Sequence, residues 1–250
     1  MLKAAVIIPA RYASTRFPGK ALMPGPDGKP LIQYVWEAAV RAEHVQDVFV
    51  ATDDDRIAQA ARAFGAGVRM TTNRCHTGSD RCAEVARELD HDVIVNLQGD
   101  EPTILPEMIA QTVHLLGQHA DCAISTLAGK IESEEELNDP SVVKVVLDTA
   151  GRALYFSRSV IPHVRGSATP WKDSPCPHLR HYGIYGYRRA FLLEYNRLPP
   201  HPLEEAEKLE QLRALAHGVK ITVGLTPHRT MKVDTPEDFR LFCESLRRPA

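Results

Sequence analysis

The chain has 250 residues, 44% hydrophobic and 25% charged, a balance that excludes a disordered polypeptide and permits a large buried core. Its formal net charge of -2 gives no basis for a general nucleic-acid or membrane surface, so any anion site has to be local. No apolar run approaches membrane-spanning length, and Met1-Leu2-Lys3 leads directly into an apolar strand without room for a signal peptide. A cytoplasmic protein is expected, with no nucleic-acid partner and no membrane insertion.

Ala4 to Ile8 is a short apolar run closed by Pro9, which reads as a strand buried on both faces of a parallel sheet. The loop beyond its carboxyl end carries Arg11, Arg16 and Lys20, two hydroxyls and Gly19. Open α/β sheets bind ligands at that edge, and three fixed positive charges beside backbone N–H groups suit a polyphosphate. The plainer reading is a basic surface loop; complementary chemistry at the ends of later segments favours the ligand. The loop is neither a Walker phosphate loop, since Gly19-Lys20 is followed by Ala21, nor a Gly-x-Gly-x-x-Gly turn.

A helix is expected over 31–41 with Leu31, Val35, Ala38, Ala39 and Ala42 on its apolar side, then a strand over 47–51. Thr52 or Asp53 reads as the cap of a helix through Phe64, followed by a short strand over 68–71. His76-Thr-Gly-Ser-Asp-Arg81 opens a helix over 82–89; its hydroxyls and acidic residue suit a helix cap and a ligand contact equally. Residues 92–98 form a nearly continuous apolar strand that runs into Gly99-Asp100-Glu101-Pro102. An acidic residue just past a strand and facing a basic loop matches the needs of Mg²⁺, which takes carboxylate oxygens, waters and substrate phosphates. Asp100 is therefore the first metal candidate, with a simple turn as the alternative.

Helix 106–116, strand 122–127 and a short acidic helix over 133–137 follow. Strands over 142–147 and 152–157, joined by Asp148-Thr-Ala-Gly151, suggest a hairpin, so the sheet is not purely parallel. The Pro-, Gly- and Ser-rich stretch over 162–177, with Trp171, reads as an exposed arm or interface loop. In the aromatic strand 180–187, His181 and Tyr185 share a face by period two and could bind a carboxylated ligand or simply pack. After a helix over 189–195, a longer helix is expected over 202–216, with Leu203, Ala206, Leu209, Leu212 and Ala216 buried and Glu210 and Gln211 off that line. Strand 220–225 precedes a loop in which Asp234 is either a second oxygen ligand or the cap of a final helix ending near 246. Cys75, Cys82, Cys122, Cys176 and Cys243 are odd in number and widely spaced, so free thiols are expected. The pattern as a whole predicts an α/β fold, a mixed, mostly parallel central sheet flanked by helices, in one domain over 1–250.

Six stretches, in order, resemble the bacterial 3-deoxy-manno-octulosonate cytidylyltransferases, or CMP-Kdo synthetases. They are Ile7-Ile-Pro-Ala-Arg-Tyr-Ala-Ser-Thr-Arg-Phe-Pro-Gly-Lys20, Asn96-Leu-Gln-Gly-Asp-Glu-Pro102, Tyr155-Phe-Ser-Arg158, Arg180-His-Tyr-Gly-Ile-Tyr-Gly-Tyr187, Leu209-Glu-Gln-Leu212 and Val233-Asp-Thr-Pro-Glu-Asp238. Phe17 stands where Leu is common, and Thr77-Gly-Ser-Asp-Arg81 where the family commonly has Ser-Gly-Thr-Asp/Glu-Arg. The resemblance implies a nucleotide-diphospho-sugar transferase-like fold and a homodimer, with about 150–200 contributing an interface or sugar-binding subregion. It also implies a role in lipopolysaccharide supply. By the same resemblance Arg11 and Lys20 hold the triphosphate of CTP with Arg16 helping, and Thr77, Ser79, Arg81 and Gln98 contact the nucleotide. Asp100 and Asp234 coordinate Mg²⁺, and Arg158, His181, Tyr185, Glu210 and Gln211 receive the sugar acid. The implied reaction is transfer of CMP from CTP to the anomeric hydroxyl of Kdo. The alternatives are another 2-keto sugar acid as acceptor, such as an amino-substituted Kdo or an acylneuraminate, and a nucleotide-binding regulatory module without catalysis.

Overall fold

A computed structural model describes residues 2–13, 17–75, 77–167 and 170–247. Its strands are β1 (Ala4–Ala10), β2 (Val45–Thr52), β3 (Gly67–Met70), β4 (Val93–Asn96), β5 (Ile124–Lys130), β6 (Lys144–Leu147), β7 (Ala153–Ser157), β8 (Leu179–Arg188) and β9 (Ile221–Leu225). The helices are α1 (Leu31–Val40), α2 (Asp55–Ala63), α3 (Gly78–Ala86), α4 (Pro106–Gln118), α5 (Glu134–Asn138), α6 (Pro170–Asp173), α7 (Arg189–Tyr195), α8 (Pro202–Glu207), α9 (Gln211–Ala216) and α10 (Pro236–Arg247).

The alternation along β1 decides the layering. Ala4, Val6 and Ile8 enter one core while Ala5 and Ile7 enter the other, so both faces of the sheet have to be covered by helices. Burying each larger aliphatic chain contributes about 1.5–3 kcal/mol. Ile32 and Val35 of α1, Ile57 of α2 and Met108 and Ile109 of α4 cover the first face. Cys82 and Val85 of α3, Leu192 of α7, Leu212 of α9 and the β6–β7 hairpin cover the second.

The sheet is mixed, in the order β3-β2-β1-β4-β8-β5-β9, with β6 joined to both β7 and β8. β1 pairs in parallel with β2 and β4, and β5 with β9, whereas β8 lies antiparallel to both β4 and β5. The expected hairpin is present: Asp148 Oδ1 accepts the Ala150 and Arg152 N–H groups at 2.8 Å each and closes the turn between β6 and β7. The five cysteines are free. Among the described residues no helix is long and apolar enough to cross a membrane.

Most boundaries shift by a few residues from the sequence reading, and three of the differences bear on the site. Asp54, not Thr52 or Asp53, caps α2 by accepting the Arg56 N–H, because Thr52 is a buried residue of β2. α3 starts four residues early, at Gly78, on the Thr77 cap. The helix expected over 202–216 breaks in two at Lys208, whose φ is 53°. The break has a visible cause: the Glu207 carboxylate accepts from Ser157 Oγ (2.6 Å) and Arg158 N (2.9 Å), while its carbonyl accepts from Arg158 Nε (2.7 Å). Of the expected stripe, Leu209 and Leu212 are buried, whereas Leu203, Ala206 and Ala216 are exposed.

Gly186 of β8 passes so close to β5 and α4 that a Cβ there would lie 2.4 Å from Ser125 Oγ and 3.0 Å from Thr112 Cγ2. Gly186→Ala is therefore expected to displace the Ser125 hydroxyl from the Thr112 carbonyl, which it reaches at 2.7 Å, and to cost about 1–3 kcal/mol of stability. An unchanged thermal melting curve would contradict this packing.

Candidate active site

β1 and β4 are adjacent and parallel, with Ile7 paired to Asn96, so the loops that follow them leave the sheet at one edge. The first loop closes where Gly19 N–H donates to the Tyr12 carbonyl at 2.9 Å. Gly19 sits at φ 72°, a region costly for any residue with a Cβ, and turns the chain into the short 3-10 turn Lys20–Leu22. Phe17 meets Phe239 of α10 with ring centroids 6.1 Å apart, beside the buried Leu31, Val233 and Phe242. The aromatic residue at position 17 thus docks the basic loop against the segment that carries Asp234.

That segment is latched in turn to the loop after β4. Val233 N–H donates to the Asp100 carbonyl at 2.8 Å and Met231 N–H to Thr103 Oγ1 at 2.6 Å. Thr235 and Asp238 form the cap of α10, each side chain accepting the other's N–H (3.1 and 2.8 Å), so capping does not consume the Asp234 carboxylate. Asp234 accepts from Lys20 Nζ at 2.9 Å and lies 3.0 Å from Lys232 Nζ. Lys20 also donates to Asp100 Oδ2 at 2.7 Å and to the Val233 carbonyl at 3.0 Å, and Lys232 Nζ stands 3.9 Å from Asp100 Oδ2. Two carboxylates from two loops therefore converge on one ammonium, with a second beside it. Burial pushes the Asp234 carboxyl up, but the hydrogen bonds and charges of Lys20 and Lys232 outweigh it and hold the pKa at about 2. For Lys232 burial works against the charge, and Asp100 and Asp234 overcome it, raising its pKa. Burial and the neighbouring Asp100 charge lift Glu101 to about 7.

Asp100 Oδ1 is buried without a hydrogen-bond partner, an acceptor-only oxygen suited to a cation. No group of three or more His, Cys, Asp or Glu side chains converges as a preassembled metal cage among the described residues. Two carboxylates next to a basic loop fit a hard ion that completes its shell with phosphates and water.

The other expected nucleotide residues form two further groups. Arg11 Nη2 donates to the Cys75 carbonyl at 2.7 Å, and Arg11 lines a cleft of about 290 Å³ with Tyr12, Asp53, Asp54, Asn73 and Cys75. Arg81 is fully buried, donates to Thr71 Oγ1 and lies 3.3 Å from Asp53 Oδ2, so it ties the ends of β2 and β3 to α3. Thr77 caps α3 in a reciprocal pair with Asp80. Gln98 Nε2 donates to Asn96 Oδ1 at 3.1 Å and Asn96 Nδ2 to Ser79 Oγ at 3.4 Å, which carries the line of polar groups from the β4 loop to α3. Arg16 lies outside the described residues.

Four of the five expected sugar-acid residues lie around β8 and α9. His181 and Tyr185 do share a face, with ring centroids 5.3 Å apart, and Phe156 meets His181 edge-on at 4.9 Å. The two extra residues of β8 between the pairs Thr126–Tyr185 and Leu127–Tyr182 leave that parity intact. Burial raises the pKa of Glu210, and the neighbouring Ser79 and Thr77 oppose that rise, which sets the expected sugar residues beside the expected nucleotide residues. Gln211 Nε2 is buried without a hydrogen-bond partner. Arg158 stands apart: its Nε and Nη1 donate to the carbonyls of Glu207 and Pro140 (2.7 and 3.0 Å).

His181 Nε2 lies 2.9 Å from Thr126 Oγ1, and burial lowers the pKa of the imidazole from 6.5 to about 3. The unfolded chain takes up this proton below about pH 6.5 and the folded chain refuses it, so the contribution of His181 to stability is complete above pH 6.5 and is lost progressively as pH falls toward 3. Its ring resonances are expected to show no titration between about pH 5 and pH 9 by NMR. A midpoint near 6.5 would contradict the buried neutral ring.

Residues 5–221 match the family model described as Cytidylyltransferase. The chain belongs to the cytidylyltransferase family. A structure of CMP:2-keto-3-deoxy-manno-octonic acid synthetase complexed with CTP superposes with a TM-score of 0.91 at 41% identity, over 98% of each chain. The 3-deoxy-manno-octulosonate cytidylyltransferase of Geobacter sulfurreducens is 49% identical over 246 residues, 96% of this chain and 98% of its own. The 8-amino-3,8-dideoxy-manno-octulosonate cytidylyltransferase of Shewanella piezotolerans is 46% identical over 244 residues, 96% of each.

In this cytidylyltransferase three site residues carry no role in the sequence reading: Asn96, Glu101 and Lys232. Asn96 had a usable signal, a polar residue inside an otherwise apolar buried strand. Lys232 had none, because only the latching of the 230–234 segment onto the β4 loop brings it to Asp100.

Proposed function

We propose that this cytidylyltransferase transfers CMP from CTP to the anomeric hydroxyl of 3-deoxy-D-manno-octulosonate (Kdo), forming CMP-Kdo and pyrophosphate. The observation that carries this reading is the convergence of Asp100 and Asp234 on Lys20 at the carboxyl edge of β1 and β4. Lys20 and Arg11 grip the triphosphate, with Arg16 as a helper; a mobile ammonium and a forked guanidinium together satisfy several phosphate oxygens. Thr77, Ser79, Arg81 and Gln98 belong to the nucleotide side. Asp100 and Asp234 would hold Mg²⁺, which supplies Lewis-acid stabilisation of phosphate charge when bound.

Arg158 is assigned to the sugar carboxylate. His181 is held neutral, so it contributes hydrogen bonding and no positive charge; Tyr185, Glu210 and Gln211 complete the pocket with oxygen and amide partners for hydroxyls. The unpartnered Gln211 amide supports this side of the reading. The anomeric oxygen forms its bond to the α-phosphorus as the bond to the bridging oxygen of pyrophosphate breaks, and the hydroxyl proton is released. Positioning of the two substrates and fixed positive charge on the leaving group lower the barrier. We assign the reaction to the cytoplasm and to a homodimer, with the 165–177 arm at the subunit contact.

The test is a matrix of acceptors and nucleotides read by pyrophosphate release, with and without Mg²⁺, and by product identification. CTP with Kdo and Mg²⁺ is expected to give the highest rate. Preference for 8-amino-3,8-dideoxy-manno-octulosonate or an acylneuraminate would replace the acceptor, and binding of CTP without turnover on any acceptor would favour a regulatory module.

A further inference from the structure

We propose that Lys232 is a further phosphate-binding residue of this site, held on Asp234 and Asp100 until the nucleotide arrives. The inference rests on the reading of the site as a metal and triphosphate centre. Its basis is geometric: Lys232 Nζ stands 3.0 Å from Asp234 Oδ2, the oxygen that Lys20 leaves by contacting Oδ1, and 3.9 Å from Asp100 Oδ2, the oxygen that Lys20 holds at 2.7 Å. The Lys232 side chain keeps about half of its exposure, 52% against 15% for Lys20.

Charge counting gives the ammonium its role. Among the described residues, Asp100 and Asp234 bring two negative charges to the point where Lys20 and Lys232 meet them. A divalent cation bound to the carboxylates displaces at least one ammonium and meets the repulsion of the other. A triphosphate removes that conflict, because it supplies acceptors for both lysines. Lys20 is anchored by its bond to the Val233 carbonyl at 3.0 Å, whereas Lys232 has no such backbone tether among the described residues and is the one that transfers to phosphate oxygen. Metal and nucleotide are thereby made to bind together, and release of pyrophosphate returns Lys232 to Asp234.

The experiment uses the full-length chain with CTP and MgCl₂ in the absence of any acceptor, so that no turnover occurs, and measures affinity by calorimetry. Lys232→Met is expected to weaken CTP binding about tenfold, the scale of one lost charge-assisted hydrogen bond. Lys232→Arg, which keeps the charge, is expected to recover most of that loss. In a second arm, Mn²⁺ is titrated without nucleotide by water proton relaxation, and Lys232→Met is expected to bind it several-fold more tightly because the competing ammonium is gone. Opposite signs in the two arms are the signature of transfer from carboxylate to phosphate; a residue that merely shapes the loop would weaken both. Unchanged CTP affinity, or weaker Mn²⁺ binding, in Lys232→Met overturns the proposal. Wild-type CTP affinity that is indifferent to divalent cation would instead sink the metal reading of Asp100 and Asp234, and the CTP arm would still decide Lys232.

Discussion

Replacing Asp100 by Asn is expected to lower the rate of pyrophosphate release at saturating CTP and Kdo by at least about 100-fold, in a protein that stays folded at the assay temperature. Asparagine preserves the shape of the side chain and can still accept from Lys20, which reaches Asp100 Oδ2 at 2.7 Å. The bond from Val233 N–H is untouched, since it goes to the Asp100 backbone carbonyl. What is lost is charge, together with the buried Oδ1 that has no partner of its own. The variant should therefore need a higher Mg²⁺ concentration for half-maximal rate as well as showing a lower ceiling. Activity within about threefold of wild type at every Mg²⁺ concentration would remove Asp100 from the reaction, and a chain already unfolded at the assay temperature would assign the loss to folding.

Much of this site is legible in the sequence because its chemistry sits where strands end. The run Ala4 to Ile8 announces a strand buried on both faces, and the run from Val93 to Leu97 a second, so Lys20 and Asp100 could be placed beyond carboxyl ends of the sheet from sequence alone. That these two strands are neighbours is a long-range fact that no local pattern carries. The same limit explains Lys232, which reaches Asp100 only because Val233 and Met231 hydrogen-bond across to the β4 loop. Helix periodicity misread residues 202–216 for a related reason. Locally, Leu203, Leu209 and Leu212 line up as a stripe, but Ser157 and Arg158, some fifty residues away, claim both ends of Glu207 and break the helix at Lys208. The break delivers Glu210 and Gln211 to the start of α9. Thr77 illustrates the case in which two readings coexist, since its hydroxyl caps α3 and also acts to lower the pKa of Glu210.

Replacing Lys20 by Met should produce a loss of kcat/KM for CTP of about 100- to 1000-fold, together with a stability signature that ordinary loss of a ligand contact would lack. In the ligand-free chain Lys20 is only 15% exposed and donates to Asp100, Asp234 and the Val233 carbonyl. Methionine retains the apolar stem and removes the ammonium, so two carboxylates held in one small volume lose their shared hydrogen-bonded cation while Lys232 stays beside them. Two unit charges 4 Å apart at an effective dielectric of 20 interact by about 4 kcal/mol, large enough for that imbalance to appear in the melting temperature. The Lys20→Met protein should accordingly melt below wild type without divalent cation and recover as MgCl₂ is added, because positive charge between Asp100 and Asp234 substitutes for the missing ammonium. Adding Asp100→Asn to Lys20→Met should abolish the recovery while restoring part of the lost stability, a non-additive pairing expected of groups that share one interaction. Equal melting temperatures for Lys20→Met and wild type, with no response to Mg²⁺ in either, would mean that Lys20 does not act as the counter-ion of this carboxylate pair.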